Sequence, residues 1–161
     1  MEKQNFFDLN FDQLKNFLID KAEVDVNKAK MRTQQMFNAV YKKNIKNLDE
    51  LTTFGLELRE KVKSLISLDK PKITDVQKSK DGTIKLLLEL KDKRNVETVL
   101  IPDKTQTKYT ICLSVSVGCY LSCEFCATAQ ISKKLVRNLS PGEIISQIIL
   151  CKDYIDDWST Q

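Results

Sequence analysis

Apolar residues recur at helical spacing through the first third of the chain. Phe11, Leu14, Phe17 and Leu18 form one stripe, opened by Asn10 and Gln13 in the pattern of a capping box. Ala29, Met36, Phe37, Val40 and Tyr41 form a second. A second capping box, Asn47 with Glu50, precedes Leu48 and Leu51, and a last helix carries Leu58, Val62, Leu65 and Ile66 before Pro71. The spacing therefore predicts helices over residues 10–68. Beyond Pro71 the period changes to that of strands. Ile73–Val76 and Thr83–Leu90 flank Asp81-Gly82, a dipeptide suited to a hairpin turn. Val96–Ile101 makes a third strand, ended by Pro102. From Tyr109 the chain alternates, with Tyr109, Ile111, Leu113 and Val115 on one face and Thr110, Cys112, Ser114 and Ser116 on the other. Ser140-Pro141-Gly142-Glu143 then starts a helix whose Ile144, Ile145, Ile148, Ile149 and Ile155 form an apolar stripe.

This pattern divides the chain into a helical domain, 1–70, and a mixed domain, 71–161. The length of 161 residues and the 42% hydrophobic content suit one domain or one with a small appendage. Net charge is a mild +4, but Lys28, Lys30, Arg32, Lys42, Lys43 and Lys46 fall in a stretch without an acid. Such a run is either a solvated helical face or a patch that contacts phosphates. Tyr41, within it, either stacks on a base or packs in the core. Met1–Asp20 has no apolar signal-peptide core, and no run reaches transmembrane length, so a cytoplasmic location without membrane contact is expected.

Chemistry concentrates in GCYLSCEFC, residues 118–126, which holds three of the five cysteines. An odd total in a Lys/Glu-rich chain argues against a disulfide framework. Three close thiols are one short of a closed zinc site, and the chain has no histidine to complete it. A [4Fe-4S] cluster needs only three thiolates if its fourth iron stays open to another ligand. A divergent zinc loop or a free-thiol loop remains the alternative. Cys119-x3-Cys123-x2-Cys126, with Phe125 before the last thiol, resembles the signature of radical S-adenosylmethionine enzymes.

A wider resemblance joins these features. Val96-Glu97-Thr98-Val99-Leu100-Ile101-Pro102, the ICLS and VGC segments, the cysteine triplet and Arg137–Ile144 (RNLSPGEI) together resemble the RlmN/Cfr family. Met31–Gln35 and Asp49–Thr52 are similar to that family's small N-terminal helical domain. The resemblance implies methylation of adenine carbon-2 in ribosomal RNA, and in some members transfer RNA, with a [4Fe-4S] cluster and S-adenosyl-L-methionine as cofactors. It assigns Cys119, Cys123 and Cys126 to the cluster and Phe125 to the cofactor site. Glu97 takes the place of a proton acceptor, and Cys112 that of a thiol that resolves a covalent RNA–protein intermediate. Without the resemblance, Cys112 reads as a small buried hydrophobe and Glu97 as an exposed strand carboxylate. An electron donor such as flavodoxin is an implied partner.

The implied fold is α+β: a small helical domain, a β-hairpin, and the first strand–loop–helix unit of an incomplete radical S-adenosylmethionine (β/α) barrel. Three features depart from the family. Ser116 replaces a glutamine, and Ala127-Thr128-Ala129-Gln130 replaces Thr-Gly after the last cluster cysteine. The family's second catalytic cysteine and later cofactor-binding strands have no counterpart, and Cys151, mid-helix, reads as core or surface. The expectation is a truncated or split enzyme with a separately encoded C-terminal barrel fragment. The alternative is a non-catalytic RNA- or iron–sulfur-binding remnant.

Overall fold

The computed structural model describes residues 3–105, 108–121, 123–126 and 136–158. They form two compact units, Met1–Asp69 with Asp156–Gln161, and Lys70–Ile155. No helix among the described residues is long and apolar enough to cross a membrane.

In the first unit, β1 (Gln4–Asn5) pairs in parallel with β2 (Ile66–Ser67). A 3-10 turn over Phe6–Asp8 follows and buries both Phe6 and Phe7. Helix α1 (Phe11–Asp20) has the reciprocal cap expected of it. The Gln13 N–H donates to Asn10 Oδ1 at 2.9 Å, and the Asn10 N–H donates to Gln13 Oε1 at 2.8 Å. Helix α2 (Val26–Tyr41) starts at Asp25, whose carboxylate accepts the Asn27 N–H. Its stripe of Ala29, Met36 and Val40 is buried, as are Leu14 and Leu18 of α1. Phe6 is the hub: its ring centroid lies 5.4 Å from Phe37, 5.5 Å from Tyr41 and 5.6 Å from Phe7. Tyr41 is therefore a core ring, and burial raises its phenol pKa.

Two local expectations are revised. The Asn47–Glu50 box forms with both bonds, but it opens a single 3-10 turn over Leu48–Glu50. Two β-branched threonines and Gly55 follow it, and such residues propagate a helix poorly. Helix α3 (Leu56–Leu65) stops one residue early, because Ile66 turns extended and enters β2 with only 1% of its surface exposed.

The second unit is built on an antiparallel sheet in the order β3 (Lys72–Lys78), β4 (Ile84–Glu89), β5 (Asn95–Pro102) and β6 (Tyr109–Cys112). The β3–β4 turn centres on Asp81-Gly82. Gly82 has φ 87°, a left-handed backbone that glycine adopts without a Cβ clash, and the Asp81 carboxylate accepts the Thr83 N–H. Alternate residues of β4 (Ile84, Leu86, Leu88) and β5 (Val96, Thr98, Leu100) point inward. Helix α4 (Pro141–Ile155) packs its Leu150 and Cys151 into that core. Ser140 and Glu143 close its capping box, with the Glu143 N–H donating to Ser140 Oγ at 3.1 Å and the Ser140 N–H to Glu143 Oε2 at 2.9 Å.

The expected strand from Tyr109 through Ser116 is broken. Strand β6 ends at Cys112, and a separate β7 (Ser116–Val117) pairs antiparallel with β8 (Arg137–Asn138). Val115 is accordingly 62% exposed, although alternation grouped it with Tyr109, Ile111 and Leu113 on one apolar face. The segment entering the cysteines is thus one side of a short antiparallel ladder. The only parallel pairing among the described residues is β1–β2. The stripe on α4 is also rotated. Ile149 is buried but Ile148 is exposed, and the buried face includes Ser146 and Gln147. These two polar residues are accommodated because Ser146 is small and Gln147 finds partners.

Candidate functional site

The cysteine loop leaves β7 through Gly118, whose φ of 76° turns the chain. The Leu121 N–H donates to Cys119 Sγ at 3.3 Å, and the Cys126 N–H donates to the Cys123 carbonyl at 3.1 Å. Cys119, Cys123 and Cys126 are each half-buried, while Tyr120, Leu121 and Phe125 are exposed, Phe125 to 92%. No disulfide joins any of the five cysteines.

The donor set suits a cluster in kind: three accessible thiols on one short loop, without imidazole competition. It is not gathered, however. Among the described residues no three Cys, Asp or Glu side chains lie close enough together to hold a metal ion. The residues 127–130 that depart from the family pattern lie outside the described residues.

Glu97 and Cys112 come together on a different surface. Val99 pairs with both Lys85 and Cys112, so Cys112 and Glu97 occupy the outward face of the sheet two register positions apart. Both are exposed, and Lys85 Nζ lies 3.0 Å from the Glu97 carboxylate. Cys112 is therefore not a buried hydrophobe.

The neck of the cysteine loop has anchors that the motif did not indicate. Gln147 is fully buried and uses its whole amide. Its Oε1 accepts from Thr98 Oγ1 at 2.7 Å and from the Ser114 N–H at 2.9 Å. Its Nε2 donates to the carbonyls of Ser114 at 2.9 Å and Glu143 at 3.2 Å. Ser114 Oγ in turn donates to the Glu97 carbonyl at 2.7 Å. This explains why β6 stops: the backbone of Ser114 bonds to a side chain in place of a neighbouring strand. On the outgoing side, Arg137 forks onto both oxygens of Glu143 at 2.7 Å and reaches Asp92 at 2.9 Å. The guanidinium holds the Glu143 carboxyl below the usual carboxylate range, and its own pKa rises. A glutamine inside an apolar helical stripe was the available signal for the first anchor, since a buried amide must find partners.

The basic stretch divides by role. Arg32 is structural, with Nη1 donating to the Thr53 carbonyl at 2.8 Å and its guanidinium 5.4 Å from the Phe54 ring centroid. Lys28, Lys30, Lys42, Lys43 and Lys46 are exposed, and Lys46 lies 5.8 Å from the Trp158 ring centroid. Lys30 also lines an open groove of about 470 Å³ with Asn27, Met31, Gln34, Gln35 and Asn38.

Cys151 has none of the loop's features. It is completely buried on α4, and burial pushes its thiol pKa up to about 11. Alkylation of the folded chain by iodoacetamide at neutral pH should modify the other four cysteines and spare this one until denaturant is added. Peptide mass spectrometry reads the result, and rapid native labelling of Cys151 would contradict its burial.

No family model matches the chain. Individual relatives do. It is 39% identical over 160 residues to the dual-specificity RNA methyltransferase RlmN of Campylobacter fetus, covering 92% of this chain and 42% of that protein. The Novosphingobium aromaticivorans RlmN is 38% identical over 141 residues, covering 88% of this chain and 32% of the relative. A probable RlmN of Staphylococcus epidermidis is 35% identical over 156 residues, covering 97% and 40%. The crystal structure of a radical SAM methyltransferase from Sphaerobacter thermophilus superimposes with a TM-score of 0.79 at 28% identity, over 96% of this chain and 43% of that one. The chain spans between about a third and two fifths of the length of these proteins, with coverage from 32% to 43%. Over most of its residues, the chain is a homologue of the N-terminal portion of the RlmN family of radical S-adenosylmethionine RNA methyltransferases.

Proposed function

We propose that this chain supplies the cluster-binding loop and an RNA-contacting helical domain of a cytoplasmic methyltransferase that modifies adenine carbon-2 in ribosomal RNA and transfer RNA. The observation that carries the reading is the set of three accessible thiols, Cys119, Cys123 and Cys126, on one loop of an RlmN homologue. These cysteines would hold a [4Fe-4S] cluster through their thiolates. When bound, such a cluster supplies the electron that cleaves S-adenosyl-L-methionine reductively. Phe125, exposed beside the last thiol, would present an apolar face to that cofactor. Glu97 would accept a proton at its carboxylate, with Lys85 orienting it, and Cys112 on the same sheet face would act as the resolving thiol. A small reductant protein such as flavodoxin would deliver electrons. In a split enzyme, a separate barrel fragment would contribute the remaining cofactor contacts and the methyl-carrying thiol.

Anaerobic reconstitution of the full chain with iron and sulfide tests the reading. Uptake should approach about four of each per chain, with a broad charge-transfer absorbance. Stoichiometric zinc without iron uptake would sink it. The alternative is a non-catalytic RNA- or iron–sulfur-binding remnant of the RlmN family.

RNA contact has its own test. Lys42, Lys43 and Lys46 are exposed and near one another in sequence. If each meets a phosphate, replacing all three by Ala should reduce the slope of log K against log salt by roughly 2 to 3. Filter binding with ribosomal RNA across a salt series measures it, and an unchanged slope makes the stretch a solvated face.

A further inference from the structure

The thiol loop has a neck, and α4 grips both sides of it. The Val136 N–H donates to the Val117 carbonyl at 2.8 Å, and the Leu139 N–H donates to the Val115 carbonyl at 2.9 Å. Those bonds extend the β7–β8 ladder and bring the incoming and outgoing chains side by side. Beyond them, Ser114 of the incoming chain is held by Gln147. Arg137 of the outgoing chain is held by Glu143. Glu143 and Gln147 are four residues apart on one helix face, and the Gln147 amide also donates to the Glu143 carbonyl.

We propose that Glu143 and Gln147 are positioning residues for the cysteine loop, clamping its two ends so that the three thiols can converge on one ligand. The inference rests on the proposed function only in that the loop has a thiol-binding ligand to receive.

The physical argument concerns entropy. Gathering Cys119, Cys123 and Cys126 around one centre restricts the chain, and that cost rises as the segment's ends gain freedom. A ladder as short as β7–β8 frays readily by itself, since isolated two-stranded pairings are marginal in water. Gln147 resists fraying because its carboxamide has no spare bonding capacity. Both lone-pair directions of Oε1 and both Nε2 protons are used, which fixes its orientation, and it bonds both backbone groups of Ser114. The Arg137–Glu143 contact is bidentate, which fixes direction as well as distance. Asp92 at the β4–β5 turn braces the same guanidinium from the sheet side. Loosening either grip should leave the cysteines' chemistry intact but make their convergence less probable.

The test needs a readout that a loss of stability alone does not move. Phenylarsine oxide, whose arsenic bonds two thiols at once, reports thiol convergence without iron. Its dissociation constant would be measured on the full chain in a Cys112→Ser background, well below each variant's melting temperature. Gln147→Met keeps the side-chain volume and removes all four bonds, and should weaken arsenical binding about tenfold. Glu143→Gln should weaken it less, because a neutral amide retains part of the Arg137 contact. Leu150→Ala empties the same core without touching either anchor. It should lower the melting temperature and leave arsenical affinity unchanged. Thr98→Ser should match the parent, because it retains the hydroxyl that orients Gln147.

Equal affinity in the parent and Gln147→Met would overturn the clamp. So would an equal loss in Gln147→Met and Leu150→Ala at matched stability. If the parent takes up no iron but its arsenical affinity depends on Gln147, the clamp stands and the cluster assignment fails. If iron loads normally into Gln147→Met with unaltered arsenical binding, the cluster assignment stands and the clamp fails.

Discussion

Phe6→Ala should cost the first unit about 3–5 kcal/mol, the range for emptying a fully buried aromatic site. The ring is completely buried, and Phe7, Phe37 and Tyr41 pack around it. Removal therefore subtracts the transfer free energy of the phenyl group and leaves a cavity bounded by rigid rings. These rings come from the 3-10 turn and α2, so the cavity separates elements that have little else to replace the contact. Val26→Ala is the contrast. Val26 is 70% exposed at the start of α2, and its truncation should change stability by no more than about 0.5 kcal/mol. Urea unfolding followed by circular dichroism compares the two. A Phe6→Ala midpoint equal to that of Val26→Ala would show that the cluster is not where this unit's stability resides.

Cys123→Ala should abolish iron and sulfide incorporation, whereas Cys112→Ala should leave it near the parental level. Cys123 is the middle donor of the loop; its backbone bond to the Cys126 N–H survives the substitution, so the variant removes the thiol alone. With Cys119 and Cys126 alone, two irons would lack protein thiolates, and no histidine exists to substitute. Cys112, by contrast, projects from the outward face of the sheet as an ordinary strand residue. Iron and sulfide analysis together with the charge-transfer band distinguishes the variants. Full uptake by Cys123→Ala would remove the triplet from the cluster assignment.

What could be read from the residues depended on how local the determining interactions were. The caps at Asn10 and Ser140 involve partners three residues away, and both form with the expected reciprocal bonds. The Asp81-Gly82 turn likewise needed only its own residues. The misread features depended on distant partners. Alternation continued past Cys112, but Ser114 is diverted by a glutamine 33 residues later. Ile66 leaves the helical stripe because Gln4 lies beside it, far away in the chain. Among the candidate residues, the cysteine spacing was visible in the sequence itself, whereas Glu97 and Cys112 became candidates only through the family resemblance. That Glu97 and Cys112 share one sheet face became apparent only through the register of β5 against β6. The clamp was harder still, because a lone glutamine in a stripe gives no indication of which backbone it will meet.

The pairing of β1 with β2 has a consequence for the order of events during synthesis. A ribosome releases Gln4 and Asn5 long before Ile66 and Ser67 have been made. The first strand therefore emerges without its partner, while α1 and α2, whose hydrogen bonds are local, can form as they are released. Phe6 and Phe7 sit immediately after that unpaired strand and need the rings of α2 for cover. Until Ile66 and Ser67 have been made, Gln4 and Asn5 are consequently a strand edge without its partner, even once α2 has covered the two rings.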